Sequence, residues 1–200
     1  NEIYSETYKA LRSVNIEWSL AKDSANKAKW LAQHGQNFLG SILKTADLYQ
    51  KKEISISINE NTNKKPLASA LMGLLLVEYV SANKITWEGY IDNSKFLLAA
   101  MGIIAEEQKI NLILENEQKD IIAFTKDKEI YVNANLDTKI SSYYFLKTYD
   151  FIKKKDIKFT NLKKNKNVTK LNVQCWQKLK SMAFETYVPE SETSKSGAGY

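Results

Sequence analysis

The stretch of residues 67–82 constrains the fold of this chain more than any other part of its sequence. It is apolar on nearly every side of a helix, so we expect it to be buried, either in the core or at a subunit interface. Pro66 suits the start of a helix, which favours a buried helix over the alternative, a buried strand. Its longest nearly uninterrupted part, residues 67–77, is shorter than the about 20 residues that cross a bilayer. We therefore expect no membrane partner.

The first quarter of the chain carries helical periodicity. Ser5 can cap a helix that runs to about Arg12, with Glu6 favourable in its first turn. The spacing of apolar residues predicts helices over 18–32 and 38–49, and Gly35 is a C-terminal stop for the first of these two. One face of the helix over 18–32 carries Trp18, Ala21, Ala25, Ala28 and Ala32. Because four of these five residues are alanine, a neighbouring element can approach closely. We expect a helical layer over residues 1–52, and this small face could serve a core or a subunit interface.

The remainder of the chain alternates between strand-like and helical patterns. Helices are predicted over 94–109 and 172–187, the second with Val173, Trp176, Leu179 and Ala183 pointing inward. Strands are predicted over 84–90, 110–115, 120–125, 129–133, 140–149 and 155–162. The short polar gaps between the central strands are typical of hairpins. The predicted fold class is α+β: an N-terminal helical layer packed with a largely antiparallel or mixed sheet and a C-terminal helix.

The chain is predicted to form a single domain. Its 200 residues contain no linker long enough to separate two cores. Within the domain we distinguish a helical part over 1–52 and a mixed helix and sheet part over 53–188. Residues 189–200 are rich in Ser, Glu, Lys and Gly, and we expect them to form a flexible tail.

The net charge of +6 is concentrated in residues 150–170, which hold eight lysines against Asp150 and Asp156. Such a segment suggests nonspecific nucleic-acid binding, with phosphate contacts and a steep salt dependence. The segment has no Arg for bidentate base contacts, and Phe151 and Phe159 are too few for a stacking platform. Lysines also protect exposed sheet edges. We therefore interpret the segment as a sheet edge and its loop, which disfavours nucleic acid as a partner.

Motifs with an established mechanism are absent from the sequence. We find no glycine-rich dinucleotide loop, no phosphate loop and no nucleophile elbow. One histidine and one cysteine, Cys175, exclude multi-histidine or multi-thiolate metal sites and any internal disulfide. The sequence therefore predicts a cytoplasmic protein and suggests neither a cofactor nor a metal.

Candidate site residues are few. His34 follows the second predicted helix, where a protonated imidazole would interact favourably with the negative helix end; a site role is the alternative. If the protein is an enzyme, we expect its catalytic site to bring His34 together with Tyr187, Ser191 and Ser194. Small residues beside Ser and Lys can wrap an anion, so the candidates for cofactor binding are Lys195, Gly197 and Gly199.

Three stretches of the sequence carry a family resemblance. They are residues 18–35, the apolar middle, and Trp176 with the segment 187–199. With these stretches the chain resembles an uncharacterised bacterial family, a domain of unknown function that recurs in alphaproteobacteria. The resemblance implies a bacterial, cytoplasmic, single-domain protein, and it implies no activity.

Three functions are compatible with the sequence. The first is a cytoplasmic protein that binds a small molecule, as an enzyme or an enzyme accessory in bacterial metabolism. The second is an oligomeric structural or partner-binding protein, for which a homodimer is the simplest form. The third is nonspecific nucleic-acid binding through residues 150–170. The sequence does not decide whether the protein is an enzyme.

Overall fold

The computed structural model describes residues 1–59, 64–133, 142–150, 158–165 and 171–186. Its helices are α1 (Glu2–Ser13), α2 (Trp18–Gln33), α3 (Leu39–Gln50), α4 (Ser69–Asn83), α5 (Ser94–Gln108) and α6 (Val173–Phe184). Its strands are β1 (Thr86–Ile91), β2 (Leu112–Asn116), β3 (Ile121–Lys126), β4 (Glu129–Asn133), β5 (Ser142–Thr148) and β6 (Phe159–Asn161).

The strands form one antiparallel sheet in the order β1-β5-β2-β3-β4-β6. Strand β5 lies between β1 and β2, with Trp87 opposite Leu146 and Leu114 opposite the same residue on the other side. A bulge between Leu114 and Glu115 shifts the register of β2 against β3. Helices α4 and α5 contact the sheet, and α1 contacts α2 and α6. The predicted α+β class is confirmed.

The apolar stretch that dominates the sequence forms helix α4, so the predicted helix is confirmed. The predicted burial is wrong for Leu75 and Tyr79, whose side chains are 47% and 36% exposed. The helix begins at Ser69 rather than at Leu67, because Leu67 is extended and bridges Ser55 and Ile91. The Leu67 amide donates to the Tyr90 carbonyl at 2.8 Å. Within the described residues, no helix has both the length and the apolar character needed to cross a bilayer.

The alanine face of α2 belongs to the core of this chain. Ala21, Ala25 and Ala28 are fully buried, where α2 packs against α1, α4 and α5. The prediction is wrong for Trp18, whose side chain is 60% exposed. Trp18 shares the direction of this face, about 20° from Ala25, but it is the first residue of the helix and lies at the end of the face.

Helix α6 closes the helical layer by packing on α1 and α3. Leu179 and Ala183 are buried as expected, whereas Trp176 is half-buried. The prediction for Val173 is wrong, because this first residue of the helix projects beyond the contact and is 67% exposed. The described helix ends at Phe184, and Tyr187 lies outside the described residues.

Strand β6 is an edge strand, as the lysine pattern predicts. It pairs with β4 through Thr160 opposite Val132, and its other side has no strand partner among the described residues. Lys158, immediately before the strand, is exposed. The preceding residues 151–157 lie outside the described part of the chain, so the prediction is confirmed for residues 159–161 alone.

Two ionisable side chains, Asp92 and Lys27, are buried in the interior. Both side-chain oxygens of Asp92 accept hydrogen bonds: Oδ1 from the Ser69 amide and hydroxyl, each at 2.8 Å, and Oδ2 from Thr45 Oγ1 at 3.1 Å. Burial raises the pKa of Asp92 against the opposing effect of these bonds. Lys27 of α2 is fully buried, and its ammonium has no hydrogen-bond partner among the described residues. Burial lowers the pKa of Lys27 to about 7, against the attraction of Asp23 and Asp92.

Candidate functional site

A cleft of about 420 Å³ lies where the C-terminal end of α2 meets α5, the β3–β4 turn and the segment after β6. We call it the His34 cleft. The side chains on which its chemistry depends are Trp30, His34, Glu106, Lys128, Lys163 and Lys164.

Trp30 forms the floor of the His34 cleft. Its indole stacks on the His34 imidazole with ring centres 3.6 Å apart and planes 21° apart. Gly102 of α5 makes room for the indole, since a Cβ added there would lie 2.3 Å from Trp30 Cζ2. The indole Nε1 also donates a hydrogen bond to Glu106 Oε1 at 3.1 Å. Helix packing and a polar contact together hold the ring in one place.

His34 is the C-cap residue of α2 and is only 6% exposed. Its Nδ1 lies 2.8 Å from the carbonyl oxygen of Trp30, and because a carbonyl only accepts, Nδ1 carries the proton. Burial lowers the pKa of His34 below its ordinary 6.5, more than the Trp30 carbonyl and Glu106 raise it. At pH 7 the ring is therefore neutral, with an unprotonated Nε2. The expectation of a protonated imidazole at this helix end is corrected, although the position at the helix end is as predicted.

Glu106 links the floor of the cleft to its lysine-rich side. Its Oε1 lies 4.0 Å from His34 Nε2 and accepts from Trp30, while its Oε2 accepts from Lys164 Nζ at 3.0 Å. His34 Nε2 and Glu106 Oε1 both offer an acceptor to the cleft. An amino group can donate to both atoms, and a hydroxyl can donate to one of them.

The segment 162–165 brings the lysine-rich part of the chain to the cleft. Leu162 N–H donates to the Ile130 carbonyl at 3.0 Å, and Asn165 N–H donates to the Gln33 carbonyl at 2.7 Å. Lys163 and Lys164 are thereby placed beside α2. Sequence reasoning missed this arrangement, because no local pattern connects residue 164 with residue 106.

The described lining has three lysines, Lys128, Lys163 and Lys164, against two carboxylates, Glu106 and Glu129, so its formal charge is +1. Lys128 and Lys163 form no ion pair with another described residue, in contrast to Lys164 with Glu106. Glu129, the remaining carboxylate of the lining, accepts a hydrogen bond from the Tyr131 hydroxyl at 2.7 Å. The cleft thus combines two cationic side chains with a pair of hydrogen-bond acceptors.

Of the predicted catalytic residues, His34 lines the cleft. Tyr187, Ser191 and Ser194 lie outside the described residues, as do the cofactor-binding candidates Lys195, Gly197 and Gly199. Their predicted roles stay predictions. Within the described ranges, no group of three or more His, Cys, Asp or Glu side chains could hold a metal ion.

The fold surrounds Phe159 with aromatic rings that the sequence places far away. Phe124 lies against Phe159 edge to face at 5.0 Å, against Tyr149 edge to face at 6.4 Å, and parallel to Tyr131 at 5.0 Å. The number of aromatic residues within 150–170 is therefore smaller than the number of rings that the fold gathers near Phe159. The rings pack on one another, so they fill a small apolar cluster on the sheet rather than presenting separate faces for bases.

Comparisons of the chain with protein-family models, with curated proteins and with solved structures found no match.

Proposed function

We propose that the protein binds a small polar molecule in the His34 cleft, with His34 accepting a hydrogen bond or a proton from it. The observation that carries this proposal is the Nδ1–H···O contact of His34, because it leaves Nε2 as an acceptor beside Glu106. Neutral imidazole in this tautomer is the form that can act as a general base.

The charge of the cleft indicates the ligand class. Lys128 and Lys163 suit an anionic group such as a carboxylate or a phosphate, and the His34–Glu106 pair suits a hydroxyl or amino group. A hydroxy acid, an amino acid or a phosphorylated small molecule has both kinds of group. Such a ligand fits a cytoplasmic protein of bacterial metabolism, which is the setting we propose.

A thermal-shift screen of hydroxy acids, amino acids and sugar phosphates tests the proposal. A ligand at 100 times its Kd should stabilise the protein by about 2.7 kcal/mol. His34→Gln should weaken the binding of such a compound at least tenfold, whereas Gln174→Ala, an exposed change on α6, should not. The proposal fails if no compound stabilises the protein, or if His34→Gln binds the same compound as tightly as the wild type.

The protonation state of His34 can be measured directly, because the chain contains one histidine and hence gives one imidazole NMR signal set. Its pKa should lie below 6.5, since burial disfavours the charged ring. Glu106→Gln should lower this pKa further by removing a nearby negative charge. Lys164→Met should raise it by removing a positive one. A wild-type pKa above 6.5, or shifts of the opposite sign, would contradict the assigned environment.

A homodimer is the second candidate, and one observation favours it. Trp18, Leu75 and Tyr79 are large apolar side chains that remain 60%, 47% and 36% exposed. The alanine face of α2 gives no further support, because it is buried within the chain. Light scattering separates the two states, and a monomeric mass at high protein concentration would exclude the dimer.

A further inference from the structure

A second recess lies on the other side of Leu162 from the His34 cleft. Its volume is about 180 Å³, and it is bounded by α2, the start of α5 and β4. Leu162 borders both spaces, so its side chain separates them. We call this space the Lys95 recess.

The walls of the Lys95 recess are mainly apolar. Leu31, Leu98, Val132 and Leu162 supply aliphatic surface. The volume is about six times the 30 Å³ that one water molecule occupies in the liquid, which suits an aliphatic chain of about four to six carbons. An apolar space of this kind favours hydrocarbon over a polar ligand.

Among the described residues, the recess is lined by one charged side chain, Lys95, and by no acidic one. Lys95 forms no ion pair with any of these residues. Lys95 is only partly exposed, so its side chain is in contact with the wall of the recess. Gln36 also lines the recess, and its amide can donate a hydrogen bond as well. A cation at the rim of an aliphatic space complements a ligand with a hydrocarbon chain and a negative head group.

We propose that the Lys95 recess binds a short-chain aliphatic carboxylate. The chain lies against Leu31, Leu98 and Val132, and the carboxylate pairs with the Lys95 ammonium. This site is distinct from the His34 cleft, whose ligand class is polar throughout.

A chain-length series tests the hydrocarbon part of the proposal by NMR titration or calorimetry with acetate, butyrate and hexanoate. Affinity should rise about fourfold for each added methylene, the factor that corresponds to burying one CH₂ group, until the recess is full. Hexan-1-ol, which lacks the charge, should bind at least tenfold more weakly than hexanoate. Equal affinity for acetate and hexanoate, or for hexanol and hexanoate, would overturn the proposal.

Matched variants locate the site. Lys95→Gln should weaken hexanoate binding about tenfold or more, whereas Lys22→Gln, a change of an exposed lysine on α2, should leave it unchanged. Val132→Phe should fill the recess and abolish binding while Lys95 remains in place. His34→Gln should bind hexanoate normally, which separates this site from the His34 cleft. If Lys95→Gln and Val132→Phe both bind hexanoate as the wild type does, or if His34→Gln alone loses it, the assignment is wrong.

Discussion

Two residues of the interior, Lys27 and Gly102, are unusual for their positions. Lys27 lies in the interior without a hydrogen-bond partner among the described residues, and Gly102 has no side chain because Trp30 occupies its place. An unpaired buried amine destabilises the fold, and a glycine within a helix lowers its stability. Lys27 interacts electrostatically with Asp92, and Gly102 lines the His34 cleft, so replacing either residue tests how the interior is arranged.

Replacing Lys27 should change how stability depends on pH. The pKa of Lys27 is about 7 in the folded protein, against 10.5 when exposed, so the unfolded chain binds one more proton between these values. The free energy of unfolding of the wild type should therefore rise by roughly 1 kcal/mol per pH unit from pH 7 towards pH 10.

Lys27→Met should lose this rise and be more stable than the wild type at pH 7, because it removes an unpaired buried amine. Lys22→Met, at an exposed position of the same helix, should keep the wild-type slope. Urea unfolding at several pH values measures the stability at pH 7 and its slope with pH. Asp23 and Asp92, the acids that interact with Lys27, are present in every variant. A parallel slope in Lys27→Met and wild type would show that Lys27 does not titrate as described.

Replacing Gly102 should disturb the floor of the cleft. Gly102→Ala places a Cβ within 2.3 Å of the Trp30 ring, which must shift, and we expect a loss of about 1–3 kcal/mol in the free energy of unfolding. Gly40→Ala is the control, because it meets nothing within 4 Å in α3 and should stabilise the protein by up to about 1 kcal/mol. Chemical denaturation followed by tryptophan fluorescence reports on both. Equal effects of the two substitutions would contradict the packing described for Trp30.

At the scale of elements, connections between distant segments determine where helices begin. Helix α4 starts at Ser69 because Asp92, which follows β1, accepts from both the Ser69 amide and the Ser69 hydroxyl. Thr45 of α3 donates to the same carboxylate. One side chain thus joins α3, α4 and the end of β1.

Removing the Asp92 carboxylate should therefore destabilise three elements together. Asp92→Ala leaves the Ser69 amide and the Thr45 hydroxyl buried without acceptors, and we expect a loss of about 2–4 kcal/mol in the free energy of unfolding. Asp47→Ala is the control, since Asp47 pairs with Lys51 on the surface of α3 and its loss should have little effect. Urea denaturation compares the two. A loss as small as that of Asp47→Ala would contradict the prediction. It would mean that burying the Asp92 carboxylate costs as much free energy as its hydrogen bonds contribute.

At the scale of the whole molecule, local patterns were sufficient for most elements and insufficient for their arrangement. Helical periodicity predicts α2 and α5, and alternation predicts β3 and β4, because these signals depend on neighbouring residues. The insertion of β5 between β1 and β2 depends on residues about 60 positions apart, which no local pattern encodes. The His34 cleft likewise depends on residues that are far apart in the sequence. His34 is recognisable in the sequence, but its partners Glu106 and Lys164 come from separate elements.

The arrangement of charge over the whole molecule also predicts a weak response to nucleic acid. Lys164 is paired with Glu106, Lys158 precedes an edge strand, and the rings near Phe159 pack on one another. We expect no retardation of single- or double-stranded DNA in a gel-shift experiment at about 150 mM salt, where phosphate contacts are screened. A retarded complex at this salt concentration would contradict the interpretation of residues 150–170 as a sheet edge and its loop.

The position of β5 has a consequence for how the protein is made. On the ribosome, β1 emerges well before the strand that pairs with it, since Thr86 meets Lys147 across the sheet. Until then β1 has its bridge to Leu67 but no strand partner, and β2, β3 and β4 can already form a meander without it. The sheet can therefore be completed only after β5 has been synthesised. Closing so long a loop is slow compared with forming a hairpin, so joining β1 to the meander is a natural rate-limiting step of folding.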